Sequence, residues 1–155
     1  MTRSKRLGPL VRVSRAREEE IAKRLAEAHT QWQAERERFE TLVRHRAEYA
    51  ERLKAESARG VGAARLRQYQ DFLERLDEAL AWQQERLAQL ERACEAERAA
   101  WFTARQRRRA LDKAVERVRH AERREQDRRE QAETDAQAAR DRGARCGFTE
   151  PPDRG

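Results

Sequence analysis

Residues 66–118 read LRQYQDFLERLDEALAWQQERLAQLERACEAERAAWFTARQRRRALDKAVERV, and their spacing decides the fold. Alternating steps of three and four residues reach Leu66, Tyr69, Leu73, Leu76, Leu80, Gln83, Leu87, Leu90, Cys94, Glu97, Trp101, Ala104, Arg108, Leu111, Val115 and Val118. Thirteen of these sixteen are apolar, while nearly everything between them is charged or polar. This pattern predicts one narrow apolar stripe on a helix of about 53 residues, roughly 80 Å at 1.5 Å per residue. So thin a stripe cannot bury itself in a globule and calls for a second helix with a coiled-coil repeat.

The second helix is upstream. A matching ladder runs through Val11, Ser14, Glu18, Ile21, Leu25, Ala28, Trp32, Glu35, Phe39, Leu42, Arg46, Tyr49 and Leu53, with nine of thirteen positions apolar. Gly8-Pro9 reads as its start, since proline fits a first helical turn without losing a hydrogen bond. Gly60-Val61-Gly62 separates the ladders. Glycine supplies the left-handed conformation that ends helices. One continuous helix is disfavoured, because two glycines so close cost it roughly 2 kcal/mol.

The predicted fold is all-α: two long helices in an antiparallel coiled-coil hairpin, helix 2 longer than helix 1. The expected layout is a basic arm over 1–8, a hairpin over 9–142 (helix 1 about 9–58, turn 59–63, helix 2 about 64–141) and a disordered tail over 143–155. Folding about Val61 makes partner numbers add to about 122, pairing Leu53 with Tyr69, Leu42 with Leu80 and Ile21 with Trp101. A one-heptad slip fits the same pattern. Beyond about His120 the ladder becomes Glu122, Glu125, Arg129, Ala132, Ala136 and Ala139, which predicts a lone charged helix with no apolar partner.

The composition agrees. Of 155 residues, 42% are charged and only 6% aromatic, which suits long helices rather than a thick core. No continuous apolar run near the start suggests a signal peptide, and no segment approaches the length of a membrane span. Cys94 and Cys146 have no metal or redox spacing, which points to a reducing, cytoplasmic setting. Cys94 falls on the ladder and is expected to be a small core residue. The net charge of +7 is uneven. Residues 1–17 carry six Arg or Lys and no acid, and residues 105–130 carry eleven against six acids. The hairpin would bring these two basic segments together at its open end.

Little in the chain points to catalysis. His29, His45 and His120 are far apart, and no phosphate loop or nucleophile–base pair can be argued. Pairs such as Glu35/Arg38 and Glu48/Arg52 read as ordinary helix-surface pairs. No cofactor and no metal are expected. The flank of the seam is more informative. Phe72 and Ala79 stand one position before ladder residues of helix 2, and His45 does so on helix 1. In an antiparallel pair these flanks meet, giving a partly apolar edge with Leu42, Tyr49, Leu76 and Gln83. The edge is either local packing or a docking surface. Trp82 and Phe102 also lie off the ladder, each isolated.

Several segments resemble the FliJ family. They are Glu48-Tyr49, Ser57-Ala58-Arg59-Gly60, and Tyr69-Gln70-Asp71-Phe72-Leu73 with Leu76 and Ala79. The run Glu122-Arg123-Arg124-Glu125-Gln126 to Gln131, with Asp135 and Ala138, is similar to the family's C-terminal pattern, and the basic start ahead of Glu18-Glu19-Glu20 to its beginning. The Tyr–Gln–aromatic segment after the glycines is the most specific part. The resemblance implies a non-catalytic coiled-coil stalk of the flagellar type III export apparatus, and hence a part in flagellum biogenesis and chemotaxis. It further implies insertion into the hexameric export ATPase, coupling to the export-gate membrane protein, and handling of export chaperones, at the cytoplasmic face of the inner membrane. Export-gate contact is implied at positions matching Leu42, His45, Tyr49, Phe72, Leu76, Ala79 and Gln83. ATPase contact is implied for the paired helix ends, where Arg6, Arg12, Arg107 and Arg109 supply positive charge. Gln83 stands where the family can have a histidine, His45 where it can have an aromatic, and Gln137 where a bulky apolar residue is common.

Three rival readings share the pattern. A nucleic-acid binder would use the same basic surface, but acids interleave it after residue 110 and no stacking set or groove-reading motif accompanies it. A self-associating structural coiled coil would have the same seam. An injectisome stalk would differ only in its machine.

Overall fold

The computed structural model describes residues 2–147. Helix α1 spans Arg3–Ala58 and α2 spans Ala63–Cys146, 56 and 84 residues respectively. Among the described residues there is no strand. The fold is the predicted one: all-α, two long helices in an antiparallel hairpin, the second longer. The chain divides into two units, Ser14–Arg107 and Met1–Val13 with Arg108–Gly155.

In the unit Ser14–Arg107, the turn follows from glycine chemistry. Gly60 has φ +80°, a left-handed conformation open to glycine at little cost. Its N–H donates to the Ser57 carbonyl at 3.3 Å, and the Arg59 N–H to Glu56 at 3.1 Å, closing α1. Gly62 has another task. Its carbonyl accepts the first bonds of α2, from Arg65 and Leu66 at 3.1 Å each. Only one of the two glycines therefore needs the special backbone.

Every ladder position of this unit, from Ser14 to Leu53 and from Leu66 to Ala104, is buried or half-buried. Ile21, Cys94 and Ala104 are the innermost apolar side chains. None of the large side chains described is completely enclosed, as a two-helix seam with open edges requires. Cross-helix contacts hold the register. Tyr49 meets Phe72, Arg46 meets Asp77, Glu56 meets Tyr69, and Glu35 meets Gln83, all near the expected sum of about 122.

In the other unit, α1 begins at Arg3, so Pro9 lies inside the helix rather than at its start. Proline in a helix interior removes one backbone bond and costs about 3 kcal/mol. The turn ahead of it is held from outside. Ser4 donates its N–H to Glu122 Oε1 at 2.9 Å and its hydroxyl to Oε2 at 2.6 Å. The first turn of α1 has no acid of its own, so Glu122 supplies the negative charge that a helix amino end favours. Leu7 and Val11 face inward, half-buried, and Val115 on α2 is buried. The residues expected to form a separate arm are thus helix from Arg3 onward, and Glu122 belongs to the paired region rather than to the lone segment.

Past Glu122 the expected lone stretch is present. Residues 123–147 are exposed except for half-buried Ala138. The helix runs through Gly143 to Cys146, and the Gly147 N–H bonds the Gly143 carbonyl at 3.2 Å. Of the tail expected over 143–155, residues 148–155 lie outside the described residues.

Candidate interaction surfaces

The first candidate lies in the unit Ser14–Arg107, on the edge where α1 and α2 flank positions meet. Tyr49 on α1 packs its ring against Phe72 on α2 with centroids 4.5 Å apart. Phe72 stays 38% exposed, so the pair presents an aromatic face rather than a core contact. The Arg52 guanidinium lies 5.5 Å over the other ring, Tyr49, where the ring quadrupole favours a cation. Tyr49 and Phe72 border a shallow groove with Arg65, Gln68 and Tyr69. A second depression is bordered by Thr41, Leu42, His45 and Gln83, with Glu37 and Arg38 at its rim. Leu76 is half-buried, and Ala79 and His45 are exposed.

One of the residues expected on this edge has a different role. Gln83 is buried, only 7% exposed, and donates its amide to the Glu35 carboxylate across the seam. Glu35 also accepts from Arg38 at 2.8 Å. The Glu35/Arg38 pair is therefore more than a helix-surface pair, because its carboxylate closes a polar layer inside the ladder. The signal was in the sequence. Glu35 and Gln83 are both polar breaks in their ladders, within one layer of the expected register.

Polar clasps tie the two helices together. Arg46 Nε donates to Asp77 Oδ1 at 2.6 Å. That hydrogen bond holds the Asp77 carboxyl below its ordinary range and raises the Arg46 guanidinium. Next to the turn, the Tyr69 hydroxyl donates to Glu56 at 3.0 Å, and Arg65 lies 3.5 Å from the other oxygen of that carboxylate. These exposed or edge pairs orient the helices more than they stabilise them.

The second candidate is the basic surface. Arg6, Arg12 and Arg109 are exposed in the unit containing the start of α1, and Arg107 is exposed at the end of the other unit. Beside Arg109, Arg108 donates to Asp112 at 2.8 Å. The Glu122 carboxyl is held below its ordinary range, first by the Ser4 hydroxyl and then by the Ser4 N–H. Beyond it lies a groove bordered by Thr2, Val118, Glu122, Gln126 and Arg129. Sequence reasoning missed the Ser4–Glu122 contact because it began α1 at Pro9.

Among the described residues no cluster of three or more His, Cys, Asp or Glu is placed to hold a metal ion. Among the described residues no helix is long and apolar enough to cross a membrane. Cys94 is buried in the ladder and Cys146 exposed, both as free thiols.

Residues 3–144 match the sequence profile of the flagellar FliJ protein family. No curated protein and no solved structure matches the chain. The family is one of non-catalytic, helical stalk proteins of flagellar protein export. With nearly its whole length matched, and with two antiparallel helices, the chain belongs to the FliJ family and so to the flagellar export apparatus.

Proposed function

We propose that this chain is the stalk of the hexameric export ATPase, entering the ring, activating hydrolysis, and coupling the ring to the export-gate membrane protein and the export chaperones. One observation carries the reading: a family match over residues 3–144 on a chain folded as an antiparallel helical hairpin. The basic residues Arg6, Arg12, Arg107 and Arg109 serve the ring. Charge on an exposed surface attracts an acidic pore over about a Debye length and weakens with salt. Sparse apolar contact there would let the stalk turn or shift. The protein would then work in the cytoplasm, at the inner face of the membrane, through its partners.

The gate would meet the edge formed by Leu42, His45, Tyr49, Phe72, Leu76 and Ala79. Exposed Phe72, backed by half-buried Tyr49, supplies the aromatic anchor that interfaces favour. Gln83 supports this edge from beneath through Glu35 rather than touching the partner with its whole side chain.

Pull-down with the export ATPase and a hydrolysis assay test the reading. Stimulation should fall steeply with Arg6→Glu, Arg12→Glu, Arg107→Glu and Arg109→Glu combined, and Phe72→Ala should weaken gate binding by about tenfold while leaving stimulation intact. Full stimulation by the four-fold variant would remove charge as the means of entry.

A further inference from the structure

Two exposed aliphatic side chains at the start of α1, Leu10 and Val13, have no role in either surface. In the unit that holds the start of α1, Arg3, Arg6, Leu10 and Val13 stand at i, i+3, i+7 and i+10, which places them on one side of a helix. The inward side is defined by Ser4, Leu7 and Val11, all half-buried, with Ser4 bonded to Glu122. The other four therefore point outward. Leu10 is 55% and Val13 66% exposed, and Arg3 and Arg6 are exposed beside them.

A single exposed leucine needs no explanation. Two neighbouring aliphatic side chains on one outward face, next to two guanidiniums, are a more specific arrangement. Residues 2–13 contain Arg3, Lys5, Arg6 and Arg12 and no acid. On α2, residues 108–122 carry five Arg or Lys against three acids, Asp112, Glu116 and Glu122, and Asp112 is paired with Arg108. The charge around the aliphatic pair is thus positive, and its complement is an acidic surface. A membrane surface fits less well, because interfacial helices bury a broad apolar face and this one offers two side chains. Nucleic acid would use stacking aromatics, which this face lacks.

We propose that Leu10 and Val13 are the apolar anchor of a docking surface for an acidic protein face with a small apolar depression, with Arg3 and Arg6 steering the approach. The inference rests on the ring-entry reading above and deepens it: the arginines attract, and the aliphatic pair holds. Charges at a rim act mainly on association, whereas a buried apolar anchor acts on dissociation.

The test uses the full chain binding to immobilised export ATPase across a salt series. Leu10→Ser with Val13→Ser should speed dissociation about tenfold at every salt concentration and leave the salt dependence of association unchanged. Arg3→Gln with Arg6→Gln should slow association and flatten that dependence. Leu10→Met with Val13→Ile, which keeps an apolar face, should dissociate like the wild type, separating loss of contact from loss of fold. Wild-type dissociation by the serine variant would overturn the anchor. So would a serine variant that keeps the ATPase but loses vesicles of phosphatidylglycerol and phosphatidylcholine, since the face would then serve lipid. Failure of the wild-type chain to bind the ATPase at all is a different result and removes the ring-entry reading itself.

Discussion

Two stretches of α2 carry similar helix-forming residues and end in opposite environments. From Leu66 to Ala104 every ladder position is buried or half-buried. From 123 to 146 all but Ala138 are exposed. The second stretch is held by local pairs along its own surface, such as Arg129 with Glu125 at 3.3 Å, Gln126 with Glu130 at 3.0 Å and Gln131 with Asp135 at 3.0 Å. Such pairs contribute only a few tenths of a kcal/mol each. Charge patterning is therefore enough to shape a helix, but burial requires an apolar ladder and a partner to cover it.

The largest test of that contrast is truncation in the seam. Ile21 is only 6% exposed, so Ile21→Ala should cost about 2–3 kcal/mol and lower the urea midpoint. Ala132→Ser, in the uncovered stretch, should stay within about 0.5 kcal/mol. Equal losses at the two sites would erase the distinction.

A smaller effect sharpens it at the turn. Gly60→Ala forces a side chain into φ +80° and should cost about 1–2 kcal/mol. An added Cβ at Gly62 meets nothing within 4 Å, so Gly62→Ala should change stability by less than about 0.5 kcal/mol. Thermal melts of the two variants check the order, and a reversal would show that the link is held by something other than Gly60.

The smallest effect lies at the border between covered and uncovered helix. The folded Glu122 carboxyl titrates below the usual glutamate value of about 4.3 because Ser4 hydrogen-bonds its charged form. Its contribution to stability is therefore complete above that pH, declines as pH falls through the folded value, and is absent below it. NMR titration should find Glu122 depressed in the wild type and moved toward the ordinary value in Ser4→Ala. No movement would mean that the border is set elsewhere.

Most of the fold was legible because the two ladders are long and regular. All positions named for them from Ser14 to Leu53 and from Leu66 to Ala104 lie inward. The glycine turn was legible too, although only Gly60 uses the left-handed backbone. The start of α1 was not. Pro9 is a strong local signal, but a contact more than a hundred residues away in sequence, Ser4 with Glu122, outweighs it. The end of α2 was missed for a related reason, since Gly143 weakens a helix without forcing it to stop. On the candidate edge, spacing set the flank residue Phe72 near the ladder residue Tyr49, and their rings do meet. It could not show that Gln83 turns inward, because that depends on a side-chain partner one layer away.

The buried Glu35–Gln83 layer has a mechanical consequence. Sliding α1 by seven residues along α2 would keep ladder positions facing ladder positions, but it would set Glu35 against Leu76 or Leu90 and part it from the Gln83 amide, leaving the buried amide without its carboxylate at a cost of about 1–3 kcal/mol. One amide and one carboxylate thus act as a key in an otherwise repetitive track. A push along the seam meets that key before it can make the helices slip.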